Sequence, residues 1–509
     1  MRMPLALSMV LLAVVLGTSG CDWYEYTFMN SIPFKAGPKG PKDTYVYLGV
    51  DGLAYHTVLD AMKRGAFSGP EWQLGKFITM FPGTSDASWT RIMHTEKIGG
   101  YEMEYYNPTK DAVENKGLLG VARHILPTFS ESLSFEAQYL NSFDYRANGY
   151  THALEAYSDT YYSMGETFDN LFFSLSGRSQ TDSVFSAYLL EFDVMGHMHD
   201  PMDSTDALVT LSKRIDSFKA AHPEKTFHFT LFSDHGMDFI PVQKENLIEF
   251  DKEMSKVGIN PVTSLIEHDP SKELYAIPIV HTRVTYIALH THESIREEVA
   301  GRSSSIASVD LAISKIKSQD KAVEGSGAPG VADLNDWYGI WADGKLSVAF
   351  GFNPKTNLYT LPRGQDYSRI DQKITFAEGE ESKLMTDEEL FAMSKNSTYP
   401  DVFFRARTSL APIGAEYPAD IMISFRAGFV SVGFRVPGKE DIATASFHGA
   451  MSDLGSTGIL LSTEREIPDA VRSDTLLDLF PKLKEHNISL GTTFVPGDAN
   501  ALLDYSKTK

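Results

Sequence analysis

The sequence is poor in cysteine, with a single one, Cys21, among 509 residues. One cysteine excludes a disulfide-stapled scaffold, and a chain without thiols beyond position 21 suits an oxidising compartment. The remaining composition is ordinary, with 42% hydrophobic and 22% charged residues. This balance excludes a disordered or fibrous chain and leaves far more residues than one buried core requires.

Basic residues are also scarce, with 46 Lys and Arg against 67 Asp and Glu and a formal net charge of −21. A protein that binds a nucleic acid duplex needs a basic surface to neutralise the phosphates, so the sequence predicts no such partner. A small phosphorylated substrate is not excluded, because metal ions can neutralise its charge locally.

Long hydrophobic runs are missing beyond the N-terminus, where a short apolar stretch at 5–16 follows Arg2. The basic residue, the apolar run and the small residues at 17–20 predict a secretory signal peptide at 1–20. Cys21 comes next, and the segment resembles a bacterial lipoprotein signal, in which this cysteine becomes the lipid-bearing N-terminus. We therefore expect an exported protein at a periplasmic or cell surface, tethered by 21–43 and touching the membrane through its lipid only. An ordinary signal peptide with an unrelated cysteine is the alternative.

Short apolar strands that each end in an acid are the strongest repeated pattern. Helix-like stretches at 55–64 and 206–221 lie between them, and this alternation predicts an α/β fold, a mainly parallel sheet with helices on both faces. Ligand sites of such sheets lie at the carboxyl ends of the strands. We assign one catalytic domain to 44–509, with an insertion or elaboration at about 260–420, before the last histidine of interest. The strands and their acids are 44–50 with Asp51, 185–192 with Asp193, and 226–232 with Asp234.

Imidazoles accompany these acids, in one Asp-x-x-x-His pair and one adjacent Asp-His pair, and Gly196 in the first pair predicts a tight turn beside a ligand. Taken singly, each residue could be a helix cap or a solvated side chain. A mixed set of carboxylates and imidazoles suits zinc, whereas manganese or iron fit less well and magnesium or calcium prefer oxygen alone. Six such ligands are enough for two metal ions. The set is Asp51, Asp193, His197, Asp234, His235 and His448.

A hydroxyl-rich turn at 81–90 lies between the first two ligand segments. A Ser or Thr hydroxyl is a poor nucleophile at neutral pH unless a base or a metal favours the alkoxide. Ser85 held against a metal ion would be activated in this way, and Thr84 is the rival nucleophile. Without the metal ligands, the segment would be interpreted as a plain Pro-Gly turn with solvated hydroxyls.

Along the chain, the first acid, the hydroxyl-rich turn, the two Asp-His pairs and the last histidine follow one another in the order of the metal motifs of the alkaline phosphatase superfamily. The resemblance is closest to its type I phosphodiesterase branch, also called nucleotide pyrophosphatases/phosphodiesterases. The resemblance extends over about residues 45–458, and it is specific at the motifs and vague between them. Ser85 stands where the branch more often has Thr, and Ala87 where it has Pro. The motifs are Asp51-Gly52, Phe81-Pro-x-x-Ser85, Asp193-x-x-Gly-His197, Ser233-Asp-His-Gly-Met237 and His448-Gly449.

The resemblance implies a secreted or lipid-anchored hydrolase with two zinc ions and a phosphoserine intermediate on Ser85. Asn107 lies at a compatible distance for the asparagine that helps to hold the phosphoryl oxygens, although a turn role before Pro108 explains it equally well. His199 is interpreted as a neighbour of the ligands. The implied ligands are Asp193, His197 and His448 for one ion, and Asp51, Asp234, His235 and Ser85 for the other.

The shared metal cradle leaves other reactions open. A phosphomonoesterase or a phosphonate hydrolase would use the same ligands, because only the leaving-group pocket differs. A sulfatase is not favoured, since no Ser-x-Pro-x-Arg sequence follows Ser85. Outside enzymes, the alternative is a surface binding protein with a structural metal site, which would have no need of Ser85. The natural substrate and the oligomeric state are not predicted.

Overall fold

The computed structural model describes residues 40–102, 104–114, 138–146, 155–240, 244–281, 284–317, 336–411, 415–431 and 446–491. The predicted signal peptide 1–20, Cys21 and most of the predicted tether lie outside these residues. Among the described helices, none combines the length and the apolar character that a membrane crossing requires.

The strands belong to two large sheets and two small ones. In chain order they are β1 (Asp43–Val50), β2 (Gln73–Ile78), β3 (Tyr105–Asn107), β4 (Ala112–Glu114), β5 (Tyr145–Arg146), β6 (Val184–Leu189), β7 (Thr226–Phe232), β8 (Leu247–Ile248), β9 (Asn260–Pro261), β10 (Tyr275–Ile279), β11 (Tyr286–His290), β12 (Val309–Lys315), β13 (Asp336–Ala342), β14 (Lys345–Asn353), β15 (Leu358–Pro362), β16 (Ser382–Thr386), β17 (Ile421–Phe425), β18 (Val430–Ser431), β19 (Thr457–Ser462) and β20 (Ala470–Arg472).

The main helices alternate with the strands of the first half of the chain and recur near its end. They are α1 (Tyr55–Lys63), α2 (Ser85–Ile92), α3 (Thr160–Arg178), α4 (Glu191–Met198), α5 (Pro201–Ala221), α6 (Phe250–Lys256), α7 (Arg296–Ser304), α8 (Asp387–Ser394), α9 (Val402–Ser409), α10 (Asp453–Ser456), α11 (Leu476–Leu479) and α12 (Pro481–Ser489).

A seven-stranded sheet forms the centre of the fold, in the order β20-β2-β19-β7-β1-β6-β5. All of its strands run parallel except β19, which is antiparallel to both β7 and β2. Side chains of α1, α3 and α5 pack in the hydrophobic cluster on one face, and side chains of α2, α11 and α12 pack in the cluster on the other. The predicted mainly parallel sheet with helices on both faces is therefore confirmed.

A second sheet of nine strands contains all the strands between Asn260 and Phe425, in the order β16-β15-β14-β13-β12-β17-β11-β10-β9. Its neighbouring strands pair antiparallel, except β9 with β10. The sequence predicted an insertion or elaboration in this region but not one continuous sheet. Residues 382–386 pair with β15 as β16, and α8 begins directly after them at Asp387. Thr386 caps that helix through a capping box with Glu389.

The second sheet also holds the segment of the last predicted ligand. The Thr285 backbone N–H and hydroxyl both donate to the His448 carbonyl oxygen, at 2.9 and 2.8 Å. The buried Arg405 guanidinium on α9 donates to the Met451 carbonyl oxygen at 2.7 Å, and the Ser424 hydroxyl on β17 accepts from the Met451 N–H. The loop after His448 is thus fixed by the region that the sequence left vague.

Candidate active site

The carboxyl ends of three neighbouring parallel strands place the predicted ligands side by side. Asp51 follows β1 directly, the adjacent Asp234 and His235 follow β7, and the helix α4 after β6 carries Asp193 and His197. Four residues separate Asp193 from His197, and this spacing puts both side chains on one face of α4. All five side chains are buried.

One group of ligand atoms contains Asp193, His197 and His448, which are close enough together to hold a metal ion. Asp193 Oδ1 lies 3.4 Å from His197 Nε2 and 3.8 Å from His448 Nε2. A neighbouring group contains Asp51, Asp193 and His235. His235 Nε2 lies 3.3 Å from Asp51 Oδ1, 3.3 Å from Asp234 Oδ2 and 4.0 Å from Asp193 Oδ1, so the two groups adjoin.

The other ring nitrogen of each histidine faces a backbone carbonyl oxygen. His197 Nδ1 lies 2.9 Å from the Ser446 oxygen, His448 Nδ1 2.8 Å from the Gly83 oxygen, and His235 Nδ1 3.0 Å from the Gly236 oxygen. A carbonyl oxygen only accepts hydrogen bonds, so Nδ1 carries the proton in each ring. When a ring is neutral, as a metal ligand must be, its Nε2 lone pair then points towards the carboxylates.

Ser85 begins α2 and its hydroxyl reaches the second group. Ser85 Oγ donates to Asp51 Oδ1 at 3.1 Å and lies 3.4 Å from His235 Nε2. The rival Thr84 is fully buried, and its hydroxyl donates to the Tyr101 carbonyl oxygen at 2.9 Å. The geometry thus brings the Ser85 hydroxyl to the predicted ligands, while the Thr84 hydroxyl has a structural partner.

Burial and the charges of their neighbours determine the pKa values of Asp51, Asp234 and His235. Burial, followed by the charge of Asp51, raises the pKa of Asp234 well above its ordinary value. Burial alone would also raise the pKa of Asp51, but hydrogen bonding to His235 and the charge of that ring hold it below the ordinary value. Although burial lowers the pKa of His235, the charges of Asp234 and Asp51 raise it to about 10. Without a metal ion, the His235 imidazolium therefore supplies the positive charge of this group.

The residues present fit divalent cations. Asp234 Oδ2 is buried and makes no hydrogen bond among the described residues, which is costly unless a cation binds it. Burial lowers the pKa of His448 to about 3, so its ring is neutral and able to act as a ligand at neutral pH. A mixed set of imidazole and carboxylate donors matches the preferences of zinc.

Two predicted details of the site are different in the structure. The turn predicted at Gly196 is wrong. Gly196 lies within α4, where an added Cβ would meet Met237 Cε at 2.9 Å. Gly52 does adopt a positive φ, of 65°, and an added Cβ would lie 2.8 Å from Asp193 Cα. The absence of a side chain at both positions lets the ligand-bearing segments pack closely.

Asn107 and His199 make contacts outside the two ligand groups. Asn107 Nδ2 donates to Glu114 at 3.0 Å, and its Oδ1 accepts from the backbone N–H groups of Thr109 and Lys110. These bonds close the β3–β4 hairpin, and the phosphoryl-binding role of Asn107 stays a prediction. His199 Nε2 lies 3.1 Å from the Thr160 hydroxyl oxygen.

Sequence reasoning missed Tyr188, whose hydroxyl donates to Asp51 Oδ2. Because Asp51 Oδ1 faces Ser85 and His235, the two oxygens of this carboxylate have different partners. Tyr188 is the fifth residue of β6 and belongs to a cluster of rings around Trp89 on α2. Nothing in the motif pattern distinguishes this tyrosine from an ordinary core residue.

Sequence reasoning also missed Glu102 and Tyr286. Burial, followed by the charge of Asp86, raises the pKa of Glu102 to about 8, although the charge of His235 opposes this rise, so the carboxyl group lies within electrostatic reach of the cluster. Tyr286, on β11, is fully buried, and its hydroxyl has no hydrogen-bond partner among the described residues. Burial, followed by the charges of Glu102, Tyr101 and Asp86, raises the pKa of Tyr286 well above its ordinary value.

Comparison with known proteins gives one family and several solved structures. A family model described as type I phosphodiesterase / nucleotide pyrophosphatase matches residues 71–327, just over half of the chain. Human ectonucleotide pyrophosphatase / phosphodiesterase 5 is 13% identical, with a TM-score of 0.43 and coverage of 90% of this chain and 97% of that chain. Its murine counterpart is 12% identical, with a TM-score of 0.42 and the same coverage. An inactive form of the murine protein in complex with AMP is 11% identical, with a TM-score of 0.43, again with 90% and 97% of the two chains covered. Among curated protein sequences, none matches the chain.

Proposed function

The chain belongs to the type I phosphodiesterase / nucleotide pyrophosphatase family and is a metal-dependent hydrolase of phosphoric esters, and from this premise we propose that it cleaves phosphodiester or pyrophosphate bonds by attack of Ser85 on phosphorus. The observation that carries the proposal is the position of the Ser85 hydroxyl, 3.1 Å from Asp51 Oδ1 and 3.4 Å from His235 Nε2. A binding protein would not require a hydroxyl at this point. The substrate class that we propose is a small phosphorylated molecule.

We propose zinc for both ions, because the donors are imidazole nitrogens and carboxylate oxygens. Bound zinc ions would supply positive charge that stabilises the Ser85 alkoxide and the phosphoryl oxygens. One ion would be held by Asp193, His197 and His448, and the other by Asp51, Asp234, His235 and Ser85.

The residues of the chain prepare the attack in three ways. Asp51 Oδ1 accepts the hydrogen bond of the Ser85 hydroxyl and so orients its proton towards this carboxylate. Ser85 is the first residue of α2, where the helix dipole and the free backbone N–H groups favour negative charge. The ring cluster beneath α2, which contains Trp89, excludes water from that side.

The reaction proceeds in two displacements on phosphorus. The Ser85 hydroxyl gives up its proton, and its oxygen forms a bond to phosphorus as the bond to the leaving-group oxygen breaks, which leaves the phosphoryl group, with its second substituent, esterified to Ser85. A water molecule then attacks phosphorus and breaks the bond to Ser85 Oγ, and the serine regains a proton. A covalent intermediate of this kind divides one difficult displacement into two easier ones.

The test compares hydrolysis of bis-p-nitrophenyl phosphate and p-nitrophenyl phosphate by zinc-loaded protein without residues 1–20. We expect the diester to be preferred, and we expect Ser85→Ala to abolish turnover. Ser88→Ala is the matched control, since it makes the same change three residues further along α2, where the hydroxyl is buried and has no hydrogen-bond partner among the described residues. Monoester preference would move the protein to the phosphatase alternative, and full activity of Ser85→Ala would contradict the proposed nucleophile.

We also propose that the enzyme is exported and anchored by a lipid on Cys21. The support is the sequence of 1–21 alone: Arg2, the apolar run, the small residues and the cysteine. A position outside the cytoplasm suits a chain whose only thiol would carry that lipid.

A further inference from the structure

The segment that carries the last predicted ligand, His448, is held by two different parts of the chain. From His448 onwards, the backbone is held by the second sheet and by α9. Ser446 and Phe447, the two residues before it, are buried as well. Within the described residues, every hydrogen bond of Ser446 and Phe447 is made with residues 237–240 or with His197. The position of these two residues therefore depends on 237–240.

Asp238 is the centre of this contact. Its Oδ1 accepts from the Phe447 N–H and the Ser446 hydroxyl, both at 3.1 Å, and from the Ile240 N–H at 3.2 Å. The Asp238 N–H in turn donates to the Phe447 carbonyl oxygen at 3.1 Å. Asp238 thus joins the two segments through its side chain and through its backbone.

The position of Ser446 matters because its carbonyl oxygen orients a predicted metal ligand. This oxygen accepts the hydrogen bond of His197 Nδ1 at 2.9 Å, which fixes the ring and leaves Nε2 for a metal ion. Met237, the neighbour of Asp238, packs against the same helix, since a Cβ added at Gly196 would meet its Cε at 2.9 Å. Residues 237 and 238 therefore contact both the helix of His197 and the segment that orients its ring.

The backbone of Phe239 is a second feature of the same contact. Its φ of 48° lies in the left-handed region, which bulky residues rarely adopt. A backbone of this kind persists only where its surroundings hold it, and the Phe239 N–H donates to the Ser446 hydroxyl oxygen at 2.8 Å. The contact between the two segments is therefore maintained at a conformational cost.

The ligands of the other ion have supports of their own. The Gly52 N–H donates to Asp234 Oδ1 at 3.1 Å. The Ser233 hydroxyl donates to the His235 carbonyl oxygen at 2.7 Å. Because these bonds do not involve Asp238, loss of its carboxylate should loosen one ligand group and spare the other.

We propose that Asp238 is a positioning residue for the metal ion that Asp193, His197 and His448 would hold. The inference rests on the proposed function and adds to it a residue that acts only through others. The Asp238 carboxylate fixes the Ser446 carbonyl oxygen, which fixes the His197 ring. It also fixes the peptide that leads into His448.

Calorimetric titration of metal-free protein with zinc tests this role without turnover. We expect the unaltered protein to bind two ions, and Asp238→Ala to bind one of them about ten-fold more weakly. This factor is the lower end of the range of about 10–100-fold for outer contacts of metal ligands, because Asp238 acts through Ser446. The other ion should bind with unchanged affinity, whereas general damage to the fold would weaken both.

A double variant shows which ion is affected. His197→Ala removes a ligand of the first ion, so the remaining ion reports the other group alone. Adding Asp238→Ala to His197→Ala should leave the affinity of that remaining ion unchanged. A further loss of about ten-fold would place the effect in the other group and overturn the proposal.

Asp111→Ala is the matched control. The Asp111 carboxylate also accepts from one serine hydroxyl and two backbone N–H groups, but it lies in the β3–β4 hairpin and outside both ligand groups. We expect this variant to lower the melting temperature and to keep both zinc affinities. The donors are the Ser264 hydroxyl and the N–H groups of Leu265 and Ile266.

Two further variants keep the role testable if Asp238→Ala does not fold. Asp238→Asn retains an oxygen that can accept the same hydrogen bonds, so its affinity for the first ion should lie within about three-fold of the unaltered protein. Ser446→Ala removes the hydroxyl between Asp238 and Phe239, and it should weaken the same single ion. Zinc binding unchanged in Asp238→Ala and Ser446→Ala, or weakened equally at both sites, would overturn the proposal. An Asp238→Asn variant as weak as Asp238→Ala would do so too.

Hydrolysis of bis-p-nitrophenyl phosphate distinguishes failure of this role from failure of the proposed function. At limiting zinc, Asp238→Ala should turn over more slowly than the unaltered protein, and excess zinc should remove most of the difference. No hydrolysis by the unaltered protein, with one ion selectively weakened in Asp238→Ala, would overturn the phosphodiesterase and keep the positioning role. Hydrolysis by the unaltered protein, with equal zinc binding by both proteins, would overturn the role and keep the phosphodiesterase.

Discussion

Replacing Tyr188 with Phe removes one hydroxyl and leaves the ring in place. Tyr188 donates to Asp51 Oδ2, while Asp51 Oδ1 faces Ser85 and His235, so the phenol determines which carboxylate oxygen is offered to a metal ion. A hydrogen bond to a charged acceptor contributes about 1.5–3 kcal/mol. Loss of an outer contact to a metal ligand lowers metal affinity about 10–100-fold. We expect Tyr188→Phe to weaken zinc binding by a factor in this range, and to lower turnover at limiting zinc.

The assay is a calorimetric titration of metal-free protein with zinc, with melting temperatures measured on the same samples. The matched control is Tyr367→Phe, which removes a buried hydroxyl that donates to the Pro362 carbonyl oxygen beside β15. The control should lose about 1 kcal/mol of stability, with zinc affinity unchanged. If Tyr188→Phe bound zinc as tightly as the unaltered protein, Tyr188 would be an ordinary core residue and the reasoning would be refuted.

Three further outcomes concern the backbone, the charges and the N-terminus. Gly52→Ala should lower kcat/KM at least about ten-fold, whereas the control Gly65→Ala should leave kcat/KM unchanged. Both glycines have a positive φ, but an added Cβ at position 52 would contact Asp193 on α4, and one at position 65 would contact nothing within 4 Å. Burial alone would raise the pKa of Asp474, but the charge of Arg91 holds it below the ordinary value, so the pair adds stability above a pH of about 4 that is lost as the pH falls through the lowered pKa. Urea unfolding should therefore show Asp474→Asn to be about 3 kcal/mol less stable at pH 7, with the difference shrinking as the pH falls below the ordinary pKa of about 4. Cys21→Ala should move the protein from the detergent phase to the aqueous phase after Triton X-114 partitioning, and an unchanged distribution would contradict the lipid anchor.

The parts of the fold that local sequence determines were predictable. Buried strands of a parallel sheet have continuous apolar runs, and β1, β6 and β7 each have one followed closely by an acid. Because parallel strands end at the same edge, the acids could be placed together without knowledge of the strand order. The family resemblance based on these motifs is confirmed by the family match over 71–327.

The parts that depend on contacts distant in sequence were not predictable. Gly196 indicated a turn, but its packing against Met237 requires a glycine within α4 instead. The nine-stranded sheet is built from pairs such as β11 with β17, which are more than a hundred residues apart. That 260–420 is an insertion, and that the catalytic domain covers 44–509, stay predictions.

The segment after the nucleophile is positioned by contacts that spacing along the chain does not reveal, and the phosphoryl-binding role of Asn107 stays a prediction. Its amide closes the β3–β4 hairpin, while Glu102, five residues earlier, has its carboxyl near the ligands. Tyr101 produces this arrangement through bonds to Thr84, Ser409 and Ala419, and two of these partners lie over three hundred residues away. The count of residues from Ser85 does not contain that information.

Identification of the phosphorylated residue tests the central claim most directly. Zinc-loaded protein is mixed with bis-p-nitrophenyl phosphate, quenched in acid during turnover and digested with trypsin, which releases residues 77–91 as one peptide containing both Thr84 and Ser85. We predict a p-nitrophenyl phosphoryl adduct that fragmentation places on Ser85 and that is absent from Ser85→Ala. An adduct on Thr84, or turnover with no adduct on this peptide, would contradict the account.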